Sequence, residues 1–265
     1  MPEGHTLHRL ARLHHKHFAG APVRVSSPQG KFADGAALVD GQVLKRSYAY
    51  GKHLFHQYDS GLVVHVHLGL YGAFSESVVP MGPPVGQVRM RMVGNDFGTD
   101  LRGATACEVL YKPEVAAIVD RLGPDPLGRK PDGGLAFARL SKSVRPIGAL
   151  LMDQSVLAGV GNVYRAELLF RHGISPMRPG KSIALDEWAA MWTDLVALMK
   201  IGLRRGKIHV VRPEHDHGAP SYAKDRPRTY VYRRAGEPCR VCGSTVLHRE
   251  LEARNLFWCP GCQPG

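Results

Sequence analysis

The chain has 265 residues and a formal net charge of +12, from 35 Lys and Arg against 23 Asp and Glu. A basic excess of this size favours a polyanionic partner, most often a nucleic acid. The longest apolar runs fall far short of the roughly eighteen residues of a membrane span, which argues against a membrane protein. We expect no secretory signal and a cytoplasmic location, because the N-terminal segment PEGHTLHRLARLHHKHF lacks a continuous apolar core.

The first zone, residues 1–120, is predicted to open with a helix and to continue as strands. A helix with one buried face is indicated by apolar residues at three- and four-residue spacing, which are Leu7, Leu10, Ala11, His14 and Phe18. Short and often alternating segments follow, separated by turn residues; they are 23–25, 43–44, 54–55, 62–67 and 88–92. The pattern predicts a β-sandwich with an N-terminal helix.

The second zone, residues 121–210, has helical periodicity after the breaker-rich segment 122–128. The predicted helices are 135–141, 147–153, 163–172 and 185–203. The glycine-rich turn 159–161 precedes one of them and places Asn162 at a predicted N-cap, where backbone N–H groups can meet a phosphate. The same turn is also compatible with a purely structural helix–helix corner. A linking loop is predicted over residues 211–228.

The last zone, residues 229–265, carries two Cys-x2-Cys pairs. Two such turns together supply four thiolates in a tetrahedron around Zn²⁺, with no position open for water. We therefore predict one structural zinc per chain, bound by Cys239, Cys242, Cys259 and Cys262. The alternative is a redox dithiol pair. The fifth cysteine, Cys107, is expected to pack as a small buried hydrophobe.

Pro2 is a candidate nucleophile. If Met1 is removed, Pro2 carries a secondary amine, which condenses with an aldehyde to a charged iminium and so acts as an electron sink. An α-amino group titrates near about 7.7–8.0, so part of it is unprotonated at neutral pH. Glu3 stands beside it and can move protons.

Taken together, these residues and several further motifs resemble the formamidopyrimidine-DNA glycosylase / endonuclease VIII family over nearly the whole length. The resemblance is carried by Pro2-Glu3-Gly4, Gly51-Lys52, His67-Leu-Gly-Leu-Tyr-Gly72, Arg121-Leu-Gly-Pro-Asp125, Asp153-Gln154 with Gly159-Val-Gly-Asn-Val-Tyr164, Gly236-Glu-Pro-Cys239, and Arg254 before Cys259-Pro-Gly-Cys262. Any one of these motifs is modest support, but their order along the chain is highly specific.

The resemblance implies an α+β multidomain protein with a β-sandwich, a helix-two-turn-helix domain and a zinc finger. It implies a bifunctional DNA glycosylase and abasic-site lyase that removes an oxidised base and then performs β,δ-elimination. Pro2 matches the Schiff-base nucleophile, Glu3 the general acid, Lys52 the proton donor and phosphate ligand, and Arg254 the phosphate-gripping arginine of the zinc finger. The expected DNA contacts are His67, Leu70, Tyr71, Arg121 and Asn162, with Leu70 and Tyr71 as wedges that fill the space left by a flipped base.

The segment Leu70-Tyr71-Gly72 resembles the endonuclease VIII branch, which prefers oxidised pyrimidines, whereas the formamidopyrimidine branch usually has a methionine here. Gly69 departs from that branch, whose best-known sequences have glutamine. The cluster 214–217 lies where the purine-directed enzymes have a base-capping loop, so a purine glycosylase of the formamidopyrimidine/8-oxoguanine type is the alternative. We expect a monomer that acts on damaged double-stranded DNA at the nucleoid. Single-stranded or bubble DNA is a possible further substrate.

Two other functions compete with this interpretation. A non-catalytic protein that recognises damaged DNA can use the same fold. A histidine-based metallohydrolase can use His65 and His67, which share a strand face, with His53, His56, His215 and His217 elsewhere. No acidic residues with matching spacing accompany these histidines.

Overall fold

The computed structural model describes residues 2–216, 218 and 227–265, and the chain divides into two compact units between Arg121 and Leu122. The predicted linking loop 211–228 therefore lies partly outside the described residues, as does His217. No helix in the described part of the chain is long and apolar enough to cross a membrane.

The first unit contains two four-stranded antiparallel sheets. Its strands are β1 (Arg24–Ser26), β2 (Leu44–Tyr50), β3 (His53–Tyr58), β4 (Val63–His67), β5 (Ala73–Val78), β6 (Val88–Val93), β7 (Phe97–Arg102) and β8 (Ala106–Leu110). The sheet orders are β1-β6-β7-β5 and β2-β3-β4-β8. Alternate residues of β6, namely Val88, Met90 and Met92, are fully buried, as a strand with one face on a core requires. The β-sandwich prediction is confirmed.

Helix α1 (Gly4–Phe18) buries Leu7, Ala11, His14 and Phe18, which confirms the predicted face. Leu10 is partly buried against the same core. The helix packs on β2 and β3, so the start of the chain is held against the sheet that contains those strands.

Two more helices lie in this unit where the sequence predicted only strands: α2 (Ala33–Val39) and α3 (Lys112–Asp120). Helix α2 has seven residues, too few for a periodic pattern to be visible. Helix α3 has Pro at its first turn, and the Glu114 carboxylate accepts a hydrogen bond of 2.8 Å from the Tyr111 N–H. It packs on the outer face of the second sheet through Val115, with Phe55, Val63 and Leu110 from the strands.

The second unit holds α4 (Gly133–Leu140), α5 (Ile147–Leu150), α6 (Asn162–Arg171) and α7 (Leu185–Arg205), with short 3-10 turns at Gly180–Ser182 and Pro213–His215. Tyr164 and Leu168 of α6 pack with Trp188, Met191 and Leu195 of α7 in one buried core. The predicted helix 147–153 is too long, since Asp153 instead accepts from the Ser155 N–H and hydroxyl.

Helix α6 is anchored to the segment that leads to the cysteines. The Glu167 carboxylate is fully buried and accepts from the backbone N–H groups of Tyr230, Val231 and Tyr232, at 2.6, 2.9 and 2.8 Å. Three charge-assisted hydrogen bonds compensate for burying this group.

The last two strands, β9 (Leu247–Leu251) and β10 (Arg254–Trp258), form an antiparallel β-hairpin. Glu252 and Ala253 form its turn, both with left-handed φ of 47° and 56°. Two consecutive positive φ values are the signature of a tight hairpin turn that matches the strand twist. The hairpin therefore presents Arg254 directly after its tip.

Candidate active site and metal centre

The start of the chain is buried rather than frayed. Pro2 is half-buried, and Glu3 has no exposed surface. Glu3 is the N-cap of α1: its carbonyl accepts from the Thr6 N–H at 2.8 Å, while its side chain is not used as the cap. The carboxyl group thus lies inside the protein, next to the candidate nucleophile, where proton exchange is shielded from bulk water.

Lys52 lies in the turn between β2 and β3, and Gly51 before it has a left-handed φ of 56°. A glycine meets this conformation without strain. The turn with Lys52 thus joins the two strands on which α1, the helix that follows Pro2 and Glu3, is packed.

Three predicted site residues converge on His53, the first residue of β3. Burial, with smaller contributions from His65, His67, Arg121 and Lys52, lowers the pKa of His53 to about 3. The His53 and His67 rings are 5.0 Å apart between centroids. Lys52 and Arg121 therefore form a cationic surface beside the neutral His53, and His67, whose pKa is lowered by burial, lies against the same ring.

The loop after β4 presents Leu70 and Tyr71, which are 44% and 87% exposed. Gly72 closes the loop through an N–H bond of 2.9 Å to the Leu68 carbonyl. Gly69 has φ +66°, and a Cβ there would collide with the Thr105 hydroxyl. Steric constraints thus explain why glycine, and not the glutamine of the endonuclease VIII branch, stands at position 69. The loop is a tight turn that exposes two apolar side chains.

Asn162 is placed differently from the expectation. Gly161 is the N-cap and Asn162 is the first residue of α6, so the predicted N-cap position is wrong by one residue. The Asn162 side chain is 6% exposed and donates to the Asn255 carbonyl at 2.8 Å. The buried Arg165 guanidinium donates to the same carbonyl at 2.9 Å and also to Asn162 Oδ1. Pattern analysis did not find Arg165, because an arginine within an apolar helix gives no periodic signal.

Arg254 is exposed at the start of β10, directly before Asn255. Arg145 supports the preceding turn, since its guanidinium donates to both Glu252 carboxylate oxygens and to Asp153. Arg254 is therefore held between two anchored residues of the hairpin.

The four predicted metal-binding cysteines come together, with all Sγ atoms within 4.8 Å of one another. Cys239 and Cys262 are 3.8 Å apart between sulfurs, and Cys242 and Cys259 are 3.4 Å apart. Tetrahedral thiolates with metal–sulfur bonds of about 2.3 Å have sulfurs about 3.8 Å apart, so the cluster fits a zinc-type ion. Cys107 instead packs beside the sandwich core, where burial raises its pKa to about 12.

The histidines do not form a second centre of this kind. Among residues 2–216, 218 and 227–265, the cysteine cluster is the one group with metal-ligand spacing. His65 uses Nδ1 on Glu108 at 2.9 Å and Nε2 on His53 at 2.8 Å. His215 Nδ1 bonds the Tyr230 hydroxyl at 2.8 Å. His65 thus has no ring nitrogen left for a metal, which argues against the metallohydrolase alternative.

Comparison with known proteins agrees with this architecture. Residues 1–106 match the formamidopyrimidine-DNA glycosylase N-terminal domain, and residues 122–213 match the formamidopyrimidine-DNA glycosylase helix-two-turn-helix domain. Endonuclease 8 1 of Mycobacterium tuberculosis is 67% identical, over 99% of this chain and 100% of the relative. A formamidopyrimidine-DNA glycosylase of Methylococcus capsulatus is 30% identical, over 99% and 98%.

A solved structure of the Lactococcus lactis formamidopyrimidine-DNA glycosylase, in complex with DNA that contains an abasic site, has the same fold. Its TM-score is 0.83 at 19% identity, over 99% of this chain and 100% of that one. The chain belongs to the formamidopyrimidine-DNA glycosylase family, which includes the endonuclease 8 proteins. It is accordingly an enzyme of the bifunctional DNA glycosylase and abasic-site lyase class.

Proposed function

We propose that the chain excises oxidised pyrimidines, such as thymine glycol, dihydrouracil and hydroxyuracil, from double-stranded DNA and then cleaves the abasic site through a Schiff base on Pro2. The observation that carries the proposal is the 67% identity with an endonuclease 8 over the full length of both chains. The loop with Leu70 and Tyr71, and no methionine, supports the pyrimidine branch.

In the proposed reaction the Pro2 nitrogen attacks C1′, and the bond from C1′ to the base breaks. Glu3 protonates the sugar ring oxygen as the ring opens, which leaves an iminium between Pro2 and C1′. Loss of the acidified C2′ proton expels the 3′ phosphate, and a second elimination expels the 5′ phosphate. Hydrolysis of the iminium then frees Pro2.

The cationic residues have separate tasks in this proposal. Lys52 supplies a compact charge and a proton, and His67 and Arg121 contact the DNA on the same surface. Arg254, on the hairpin, binds a phosphate of the DNA. The hydrogen bond from Asn162 to the Asn255 carbonyl fixes the strand that carries Arg254. Leu70 and Tyr71 fill the gap that the flipped base leaves.

We also propose that the four cysteines bind one structural Zn²⁺. Cys239, Cys242, Cys259 and Cys262 occupy all four positions, so the ion stabilises the hairpin and does not activate water. We further propose that the protein acts on DNA as a monomer in the cytoplasm, associated with the nucleoid.

Borohydride trapping tests the proposal with two duplexes, one with thymine glycol and one with 8-oxoguanine opposite cytosine. The expected result is a covalent adduct on thymine glycol that is absent in Pro2→Gly. An adduct only on 8-oxoguanine would keep the mechanism but overturn the pyrimidine assignment; the Methylococcus relative makes that the second candidate. DNA binding with no adduct on either duplex would indicate a non-catalytic damage-recognition protein.

A further inference from the structure

Two histidines and a glutamate form a continuous chain of hydrogen bonds on the outer face of the second sheet. Glu108 on β8 is the cross-strand neighbour of His65 on β4, and Glu108 Oε1 lies 2.9 Å from His65 Nδ1. His65 Nε2 in turn lies 2.8 Å from His53 Nδ1, on β3. The two rings stack at 5.1 Å with 20° between their planes.

The chain of hydrogen bonds runs from the exposed Glu108 through the buried His65 to the partly exposed His53. The Glu108 side chain is 52% exposed, whereas that of His65 is 4% exposed. The ring of Phe55 stacks on His65 at 5.2 Å and holds it in place. At the end opposite Glu108, His53 is adjacent in sequence to Lys52 and lies near His67 and Arg121.

The chemistry of the groups selects one arrangement of protons. A neutral imidazole has one donor and one acceptor nitrogen, and an ionised carboxylate only accepts. With Glu108 as acceptor, His65 carries its proton on Nδ1 and its Nε2 must accept. His53 then carries its proton on Nδ1 and has its lone pair on Nε2. Burial and the positive neighbours disfavour a second proton on His53, since they hold its pKa near 3.

We propose that Glu108 and His65 are positioning residues that fix His53 as a neutral, Nδ1-protonated imidazole, so that a hydrogen-bond acceptor adjoins Lys52 and His67. A protonated His53 would add a positive charge to this surface, and the other tautomer would present a donor. The consequence for DNA cleavage rests on the proposed function, in which Lys52 donates a proton and binds phosphate.

Two variants separate this role from general charge effects. Glu108→Leu removes the acceptor that starts the chain, at a half-exposed position where folding is not threatened. Asp34→Asn is the matched control, because exposed Asp34 lines the same surface depression as Glu108 and its loss changes the charge equally. Each protein is analysed by ¹⁵N–¹H correlation of the histidine rings and by single-turnover cleavage of abasic DNA.

The wild type and Asp34→Asn should both show His53 and His65 protonated on Nδ1. In Glu108→Leu the His53 signals should shift toward the Nε2-protonated form, with the cleavage rate reduced about tenfold and the Kd for DNA within about twofold of Asp34→Asn. A wild-type His53 protonated on Nε2, or tautomers unchanged in Glu108→Leu, would overturn the relay. A changed tautomer with a wild-type cleavage rate would overturn its role in positioning.

The spectra are recorded without DNA, so they separate the two proposals. If the wild-type protein shows His53 and His65 protonated on Nδ1 but does not cleave abasic DNA, the proposed function is contradicted and the hydrogen-bond chain is still supported.

Discussion

The side-chain amide of Asn162 donates a 2.8 Å hydrogen bond to the backbone carbonyl of Asn255, so the first residue of α6 holds the residue that follows Arg254. The buried Arg165 donates to the same carbonyl at 2.9 Å. One face of a helix thereby fixes the hairpin strand that presents the proposed phosphate-binding arginine. Asn162 is expected to act on DNA through this contact rather than as an exposed ligand.

Asn162→Ala should therefore weaken DNA binding and the second elimination step. Loss of one buried hydrogen bond costs about 1–2 kcal/mol, which corresponds to about a tenfold change in affinity. Asn255→Ala is the control, because it removes only the side-chain contact with His248 and leaves the carbonyl in place. Equal losses of binding in both variants would contradict a role for the amide–carbonyl contact.

Glu3→Gln should separate the two chemical steps. The amide cannot protonate the sugar oxygen, so base excision should fall about 100-fold or more, since general acid catalysis typically contributes that much. The Pro2 amine remains, and trapping on DNA that already has an abasic site should persist. The test is to measure base excision on a duplex with a damaged base and borohydride trapping on a matched duplex with an abasic site. Excision at the wild-type rate would show that Glu3 is not the general acid.

Cys259→Ser should lose zinc, since a hard hydroxyl replaces one of four thiolates in a cluster whose sulfurs lie within 4.8 Å. We expect the metal content to fall from one ion per chain to near zero and DNA affinity to fall with it. Cys107→Ser is the control, because Cys107 lies in the sandwich unit and outside the cluster. Tight DNA binding by metal-free Cys259→Ser would show that the ion is not structural.

Gly69→Ala should destabilise the loop that presents Leu70 and Tyr71. The new Cβ faces both a left-handed φ of +66° and a collision with the Thr105 hydroxyl. Gly61→Ala is the control, with φ +88° and no atom within 4 Å of its Cβ. The free energy of unfolding should drop by about 1 kcal/mol in Gly61→Ala and by at least about 1 kcal/mol more in Gly69→Ala, measured by urea denaturation.

Stability should decrease in mild acid because of His56. Its ring is fully buried, which holds its pKa well below 6.5, and His14 lowers the pKa further. Below pH about 6.5 the unfolded chain binds a proton at this residue and the folded chain does not. The free energy of unfolding should therefore fall by about 1.4 kcal/mol per pH unit for this group, while above that pH its contribution is constant.

His56→Gln keeps a donor for His14 and removes the titration, so its stability should depend less steeply on pH between about 6.5 and 5. His15→Gln, at an exposed position of α1 next to His14, should keep the wild-type slope. A slope in His56→Gln equal to that of the wild type would contradict this origin of the acid sensitivity.

Much of the architecture is predictable from local patterns. The face of α1, the alternation of β6 and the cysteine spacing each reflect a periodicity that the sequence displays directly. Strands β5, β7 and β8 were not predicted because they are rich in polar residues, which in β7 occupy buried positions such as Thr99, and because their pairing depends on distant partners. Asp100, for example, lies on β7 and pairs with Arg91 of β6 at 2.7 Å.

The chemical site is less completely predictable. Pro2, Glu3 and Lys52 follow from motifs, and the Pro2→Gly and Glu3→Gln variants test the first two directly. The pairing of His53, His65 and Glu108 depends on the register of three strands, and sequence spacing suggested a metal site for the same histidines. A His-x-His alternation opposite a glutamate becomes interpretable only when the register is known.

The Glu167 carboxylate has a consequence for how this protein can be divided. It accepts three backbone N–H bonds from Tyr230, Val231 and Tyr232, so those residues belong by hydrogen bonding to the helix, although they precede the cysteines closely in sequence. A hairpin excised at residue 229 would therefore lose the carboxylate acceptor of three backbone N–H groups. Exchange of this module between relatives should use a junction beyond Tyr232, or carry α6 with it.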